Sequence, residues 1–414
     1  MFLKGVVTLK KKSLIPFSRF MRRGAPWVFS NELQKIDTSL EPGSWVSLES
    51  AEGHSLGYGH FNPHSLIAFR LFERAPFRSE EQTRAFFFKR LDHAWCRRTL
   101  AYPELSRGGR SCRLAFGESD GVPGLVIDLF ESGKGPLAVI QCHSAGADQF
   151  IFWGQQWLAE RLGIDRGVIR NDIEVRNREH AKLEVQTWGD IPREYDDVYA
   201  VEGGLRFYFD LLGGQKTGFF YDHRDNRLAF AQRVSGMKPS GDDPLAALDA
   251  FSYVGAWGLA LARAHPQLKV VCLDSSAKAL EYVNRNAHEN NLHGRVETLK
   301  ADYFKDKELY RLKKFDVVVS DPPAMSSSAK NAGESRRAHE RCFAQALELL
   351  APRGLAVLSA CSFHLKWEEF FEVCAQTDQE LLVTGFGAQA ADHPVLASLP
   401  ETRYLKSVIV ERLF

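Results

Sequence analysis

Over residues 1–75 the apolar positions fall in short runs, at 5–9, 44–48 and 66–71, punctuated by Pro42-Gly43 and Asn62-Pro63. Runs of this length between turn-forming pairs predict strands, and their density predicts a small β-rich barrel. The stretch 81–100, EQTRAFFFKRLDHAWCRRTL, carries its apolar residues at helical spacing and stops before Pro103, which predicts a helix. Beyond it, apolar runs at 112–116 and 125–129 flank the turn Glu118-Ser119-Asp120-Gly121-Val122-Pro123-Gly124. A strand at 137–142, a tryptophan-rich helix around 148–162 and a strand at 167–170 complete a compact α/β unit.

From residue 245 the pattern becomes a strand-then-helix rhythm. Apolar strands at 245–250, 269–273, 296–299, 315–320 and 354–359 alternate with helices that include 257–263, 277–290 and 335–350. Near-continuous apolar strands separated by helices predict a parallel sheet covered on both faces. The last two runs, 381–386 and 404–410, can pair as an antiparallel edge. A doubly wound, mostly parallel sheet with such an edge is the layout of a class I methyltransferase. The expected fold class is therefore α/β: a β-barrel domain at 1–75, a middle α/β domain at 76–195 and the doubly wound domain at 196–414. No internal repeat or low-complexity segment interrupts it.

Composition narrows the class. The 414 residues suit two or three domains at ~150 residues each. With 44% hydrophobic and 25% charged residues the chain reads as a packed globular protein, not a disordered, collagenous or coiled-coil one. The 53 Lys+Arg against 52 Asp+Glu give a net charge of +1, which conceals an asymmetry. Lys4, Lys10, Lys11, Lys12, Arg19, Arg22 and Arg23 all precede the first acidic residue, Glu32. The lysines interrupt any secretory apolar segment, and no long uncharged apolar stretch offers a membrane span, so a cytoplasmic protein without a membrane partner is expected. Seven scattered cysteines without a CxxC pair speak against a disulfide framework and against a metal site.

In a doubly wound sheet, ligands sit beyond the carboxyl ends of the strands, where strand order reverses. Each strand here ends in a suggestive residue. The first runs into Asp249-Ala-Phe251-Ser252-Tyr253-Val-Gly255-Ala-Trp257-Gly258, whose glycines let backbone approach a ligand before the next helix. The loop lacks GxGxxG, which disfavours a dinucleotide, and a plain tight turn is its bland alternative. The second ends at Asp274, placed to accept both hydroxyls of a ribose, with Ser275 beside it; a simple helix start is the alternative. The third ends at Ala301-Asp302, where a carboxylate can accept from an adenine amino group. The fourth ends in Ser320-Asp321-Pro322-Pro323, in which two prolines remove donors and hold the chain extended, leaving Asp321 as a rigid acceptor for an exocyclic amino group. The fifth ends at Cys361, a thiol beside the ligand cleft and a candidate nucleophile, whereas Cys272 within a strand and Cys342 on a helix read as inert core.

Taken together, these residues make the chain resemble the bacterial and archaeal family of large-subunit ribosomal RNA cytosine-5 methyltransferases over nearly its full length. The resemblance rests on Gly24-Ala25-Pro26-Trp27-Val28-Phe29-Ser30 and Pro42-Gly43-Ser44-Trp45-Val46, which are similar to the family's PUA domain, a small RNA-binding barrel. It rests further on 117–125, on Gly214-Gln215-Lys216-Thr217-Gly218-Phe219-Phe220-Tyr221-Asp222-His223-Arg224-Asp225-Asn226-Arg227, and on the tail Asp392-His393-Pro394 with 400–406. It implies S-adenosyl-L-methionine as cofactor and ribosomal RNA of the large subunit as partner. Cys361 would add to carbon 6 of a flipped cytosine, and Asp321 with Pro322 and Pro323 would hold the polar edge of that base. Asp249, Phe251, Ser252, Tyr253 and Gly255 would line the methionine part, Asp274 and Ser275 the ribose, and Asp302 the adenine. Lys216 and Arg224 are candidates for the cofactor carboxylate or an RNA phosphate, with surface salt bridging as the alternative. Lys10, Lys11, Lys12, Arg22 and Arg23 would meet RNA phosphates, and a homodimer is compatible with these features. The chain departs from the family pattern after Asp321-Pro322-Pro323, where Ala324 and Met325 replace a basic residue and an aromatic, which leaves stacking on the base to Phe363 or another ring.

Two other functions fit parts of this pattern. Asp-Pro-Pro strand tips also serve purine N-methyltransferases, whose chemistry needs no cysteine. A non-catalytic RNA-binding assembly factor could retain the fold without binding the cofactor.

Overall fold

The structure is a computed structural model and describes residues 3–14, 18–76, 79–191, 197–239, 243–306, 309, 313–325, 332–363, 365–375 and 380–413. The chain forms two compact units: Met1–Val198 with Asp210–Phe219 and Ala391–Thr402, and Tyr199–Phe209 with Phe220–Ala390 and Arg403–Phe414. The domain boundary expected at 195/196 lies outside the described residues.

The first unit opens with β1 (Gly5–Thr8), α1 (Arg19–Arg23), β2 (Trp27–Val28), β3 (Ser44–Glu49), β4 (Ser55–Phe61) and β5 (Phe69–Glu73). The sheet order is β1-β3-β4-β5-β2, closed over Val7, Val28, Val46, Leu48, Phe61 and Phe69. β5 starts later than the apolar run predicts, because Leu66 is exposed and its carbonyl accepts from Ser30 N–H outside any ladder. Next comes α2 (Glu80–Ala101), whose cap Ser79 accepts from Gln82 N–H and whose first turn carries Glu80 and Glu81, both favourable at a helix N-terminus.

A second sheet follows, from β6 (Cys112–Phe116), β7 (Leu125–Ser132), β8 (Leu137–Cys142), β9 (Gly167–Arg170) and β10 (Val185–Trp188), with α3 (Ile151–Leu162) and α4 (Val175–Arg178) between strands. Its strands run β10-β9-β8-β7, with β6 antiparallel to β7. Phe87, Leu91, Phe150 and Trp157 of the helical layer share a core with Leu114, Ile127 and Ile140 of the sheet. Its buried arginines are met by carboxylates or, at Arg166, by the carbonyls of Pro136 and Gly135, as burial of charge requires. Arg113 forks onto Asp128 at 2.8 and 2.7 Å, and Arg98 onto Asp120 at 2.7 and 2.6 Å. Residues 391–402 join this unit through Asp392, whose carbonyl accepts from Arg98 at 2.8 Å and whose carboxylate accepts from Arg113 N–H at 3.1 Å.

The hairpin β11 (Val198–Glu202) and β12 (Leu205–Tyr208) leads towards the second unit. Then come α5 (Arg224–Ser235), β13 (Ala246–Ala250), α6 (Ala256–Ala264), β14 (Lys269–Asp274), α7 (Ala277–Glu289), β15 (Val296–Lys300), β16 (Phe315–Ser320), α8 (Ala332–Leu349), β17 (Leu350–Cys361), α9 (Trp367–Ala375), β18 (Leu381–Gly387) and β19 (Leu405–Arg412). The sheet order is β15-β14-β13-β16-β17-β19-β18. The first five are parallel, and β19 and β18 close the edge antiparallel. This is the mostly parallel, doubly wound α/β sheet with an antiparallel edge expected from the sequence. Order reverses between β13 and β16, which makes their carboxyl ends the place for a ligand.

Candidate active site

The ladder register brings the strand tips level. Ala250 pairs with both Leu273 and Ser320, and Asp274 pairs with Lys300. Phe251, Asp274 and Asp321 therefore each lie one residue beyond a shared row, and Ala301-Asp302 follows directly. Ser320 also pairs with Leu358, so β17 continues past the end of β16 and carries Cys361 to the same edge of the sheet.

The loop after β13 is held in an uncommon conformation. Phe251, Tyr253 and Gly255 have φ of 63°, 49° and 84°, and a left-handed backbone at two bulky residues persists only where its surroundings impose it. Ser252 N–H donates to Leu273 O at 2.9 Å, and Tyr253 N–H to Asp274 Oδ2 at 2.9 Å. Asp274 Oδ1 accepts from Ser276 N–H at 2.8 Å, while Ser276, the α7 cap, accepts from Ala279 N–H. Each carboxylate oxygen has a second lone pair, so Asp274 keeps acceptor capacity for vicinal hydroxyls. Ser275 is exposed beside it. Asp302 is bound by Phe304 N–H and by the Lys305 ammonium at 2.8 Å, which holds its carboxyl below the usual range.

Asp249 is the most perturbed acid of the unit. It is fully buried and accepts from Gly258 N–H through Oδ2 at 2.8 Å, while among the described residues its Oδ1 and the neighbouring Ser252 Oγ have no partner. Gly258 has no room for a side chain, since a Cβ there would lie 2.5 Å from Cys272 Sγ. Buried polar atoms left open at a strand tip fit a cofactor with donor groups of its own. Burial pushes the Asp249 carboxyl up to about 8. Between an ordinary carboxyl value near 3.8 and about 8, the folded chain holds a proton that the unfolded chain has released, so stability falls as pH rises through this window. Asp249→Asn is expected to remove that dependence. In cofactor-free thermal unfolding the variant should gain on the parent between pH 5 and pH 8, by on the order of 2 kcal/mol at the upper end.

Asp321 is clamped. Trp257 Nε1 donates to its Oδ2 at 3.1 Å, and His223 Nε2 lies 3.1 Å from its Oδ1. Asn226 Nδ2 donates to His223 Nδ1 at 3.0 Å, whereas His223 Nε2 makes no hydrogen bond among the described residues and lies beside Oδ1 by proximity alone. Pro322 is buried and Pro323 exposed. Cys361 is half-buried at the β17 tip, whereas Cys272, Cys342 and Cys374 are buried, the last two with thiols pushed up to about 12.

Other expected residues sit elsewhere. Arg224 is 2% exposed, 3.7 Å from Glu202 and over the Tyr221 ring, beside the tighter Arg227 pair at 2.6 and 2.7 Å. A guanidinium so enclosed serves that ion-pair cluster and is not presented to an RNA phosphate. Lys216 belongs to the first unit, with φ of 51°. Lys11, Lys12, Arg22 and Arg23 are exposed on the barrel, and Lys10 donates to Asn31 O at 2.8 Å. Among the described residues no set of three His, Cys, Asp or Glu is arranged for a metal, and no helix is long and apolar enough to cross a membrane.

Sequence comparison places this geometry among known proteins. Residues 7–74 match the PUA-like domain family and residues 243–380 the methyltransferase small domain family. The chain is 31% identical to Ribosomal RNA large subunit methyltransferase I of Serratia proteamaculans, covering 93% of this chain and 94% of that one. The chain belongs to the ribosomal RNA large subunit methyltransferase I family. A second relative of the same name, from Pseudoalteromonas translucida, is also 31% identical, over 94% and 96% of the two chains. The fold is shared with a Streptococcus mutans protein described as a SAM-dependent methyltransferase, at TM-score 0.75 and 16% identity over 98% and 99% of the chains. It is shared too with a methyltransferase crystallised with SAH, at TM-score 0.75 and 17% identity over 99% and 100%.

Three residues of this large subunit methyltransferase I family chain escape sequence reasoning. His223 and Trp257 both stand inside quoted motifs, yet nothing in their spacing points to Asp321. Lys406 is 5% exposed and donates to Ser362 O at 2.8 Å. The signal available for it is a lysine at the second position of a strand whose centre runs Val408-Ile409-Val410.

Proposed function

We propose that the chain transfers a methyl group from S-adenosylmethionine to carbon 5 of a cytosine in large-subunit ribosomal RNA, with Cys361 as the attacking nucleophile. The observation that carries this reading is the half-buried Cys361 at the tip of β17, on the same sheet edge as Asp321. A purine N-methyltransferase has no use for a thiol there. Bound at the strand tips, the cofactor supplies an electrophilic methyl group.

The chain's own residues do the rest. Asp249 and the loop through Phe251, Ser252, Tyr253 and Gly255 enclose the methionine end, Asp274 and Ser275 the ribose, and Asp302 the adenine. Asp321, held by Trp257 with His223 beside it, accepts from the exocyclic amino group of cytosine, and Pro322 and Pro323 keep that acceptor rigid. Carbon 5 is a poor nucleophile until the Cys361 thiolate adds to carbon 6; a C–S bond forms and the electron pair moves to carbon 5. After methyl transfer, loss of the carbon 5 proton to a base breaks the C–S bond and restores both thiolate and ring. Phe363, 37% exposed two residues beyond the thiol, offers a ring to stack on a flipped base, a place that Ala324 and Met325 do not fill. Exposed Lys11, Lys12, Arg22 and Arg23 meet RNA phosphates from the PUA-like barrel, with Lys10 behind them.

The test is product identity. Incubation with methyl-labelled cofactor and ribosomal RNA from a strain lacking the enzyme should place label on carbon 5 of a cytosine, read by nucleoside mass spectrometry. Label on a purine nitrogen would overturn the reading, and so would failure to bind the cofactor at millimolar concentration in calorimetry.

A further inference from the structure

Helix α7 carries two buried asparagines one turn apart, Asn286 and Asn290, and both turn their side-chain amides onto backbone. Strand β12 pairs with β11 along one edge, and alternate residues of a strand present their N–H and C=O groups to the other. Those groups of Arg206 and Tyr208 meet the two asparagines. Asn290 Oδ1 accepts from Arg206 N–H at 2.9 Å, and its Nδ2 donates to Arg206 O at 2.7 Å. Asn286 repeats the pattern on Tyr208, accepting at 2.7 Å and donating at 3.1 Å. The helix thus stands in for a further strand.

The two residues differ in where Nδ2 sends its other hydrogen. Asn290 returns it to its own helix, at Asn286 O, 2.8 Å away. Asn286 donates it to Val254 O at 3.0 Å, in the middle of the loop after β13. Val254 is 1% exposed and lies between Tyr253 and Gly255, both left-handed. The loop's own amides go to Leu273 O from Ser252, to Asp274 from Tyr253 and to Ser252 O from Gly255, the last at 2.7 Å. The Val254 carbonyl instead accepts from a side chain outside the loop, and a buried carbonyl stripped of its donor is strongly disfavoured. Exchanging the oxygen and nitrogen of Asn286 would set like against like at all three contacts, so this amide has one orientation.

We propose that Asn286 is a positioning residue for S-adenosylmethionine, which holds the loop after β13 in its binding conformation through Val254 and couples that loop to β12. This rests on the reading of loop 251–255 as the wall around the methionine end. The left-handed backbone at Phe251 and Tyr253 is kept against its intrinsic preference, so loss of an anchor lets the loop relax to forms that do not fit the cofactor. Such coupling is reciprocal. A cofactor that orders the loop also fixes Val254 O, through it Asn286, and through Asn286 the backbone of Tyr208. Asn290 grips the same strand, but its amide reaches Arg206 and its own helix, so it lacks this link.

Calorimetry with S-adenosylmethionine on the full-length protein compares Asn286→Ala with Asn290→Ala. Each removes buried hydrogen bonds to β12, so both should lower the thermal unfolding temperature. Asn286→Ala alone should weaken cofactor binding, by roughly tenfold or more, with Asn290→Ala within about twofold of the parent. Asn286→Asp keeps the acceptor for Tyr208 N–H but removes both donors, and should weaken the cofactor in the same way. Amide hydrogen exchange, resolved to single residues by mass spectrometry, gives a second readout. Cofactor should slow exchange at Tyr208 by a factor of about three or more in the parent and not in Asn286→Ala. Unchanged affinity in Asn286→Ala overturns the proposal, and so does equal weakening by Asn290→Ala, which would mark a general loss of packing. If neither Asn286 variant folds, a Tyr208 amide indifferent to cofactor in the parent overturns it equally. Exchange within the loop judges the underlying reading by itself: amides at 252–255 that cofactor leaves unprotected would put the cofactor elsewhere, whatever Asn286 does.

Discussion

Cys361→Ala is expected to lower methyl transfer by three orders of magnitude or more, the scale seen when a covalent nucleophile is removed. Cys361 is the last residue of its strand, and truncation to Ala keeps its backbone in the ladder. It is half-buried at the end of β17, and a β19 partner continues the ladder on its far side. Cofactor affinity should stay within about twofold, because the residues assigned to the cofactor lie on β13, β14 and β15 and the loops that follow them. A sharper readout uses RNA bearing 5-fluorocytosine. Fluorine leaves no proton to remove from carbon 5, so the parent protein should accumulate a denaturation-resistant protein–RNA adduct and Cys361→Ala should form none. A variant that still methylates carbon 5 would sink the mechanism.

Asp321→Ala should rank second, with kcat down about 10²–10³-fold, the range for loss of one preorganised polar group at a reacting centre. The effect should fall on kcat more than on KM, since the RNA contacts proposed above are phosphate contacts on the barrel, away from Asp321 in the chain. Asp321→Asn keeps an oxygen for Trp257 or for the base, though not for both, and should lie between the parent and Ala. His223→Gln loses the neighbour 3.1 Å from Oδ1 but leaves Trp257 in place, so it should cost less than either Asp321 variant. Steady-state kinetics on one RNA fragment gives all three. Equal losses for His223→Gln and Asp321→Ala would mean that His223 has a role of its own.

The doubly wound sheet was legible because its strands are apolar on both faces and its helices alternate with them. What sequence reading missed has identifiable causes. Helix α5 is hidden because its inward positions include Arg224 and Arg227, which pair with Glu202 where apolar residues would signal a core. Strand β4 is hidden by its glycines; a Cβ at Gly59 would meet Arg70 O at 2.0 Å, so close approach of β5 dictates a residue of low strand propensity. At the site, the carboxylates at strand tips could be read because their positions follow from strand ends alone. The clamp on Asp321 could not, because His223 stands 98 positions earlier in the chain and meets it only through the fold. Lys406 belongs to the same class, since a hydropathy pattern registers the charge but not what it faces.

The chain's route through its two units has a consequence for how such a protein can be taken apart or inherited. Residues 210–219 and 391–402 belong to the first unit although the second brackets each of them, so no single uninterrupted stretch encodes either unit whole. An amino-terminal fragment ending at Val198 would keep Arg98 and Arg113 but lose Asp392, whose carbonyl and carboxylate answer them. A gene fusion cannot transplant the whole first unit onto another protein by one cut and one splice, and a stop codon anywhere before 402 truncates both units at once. The two units are in this sense interleaved in the gene, and neither can be excised whole as one segment.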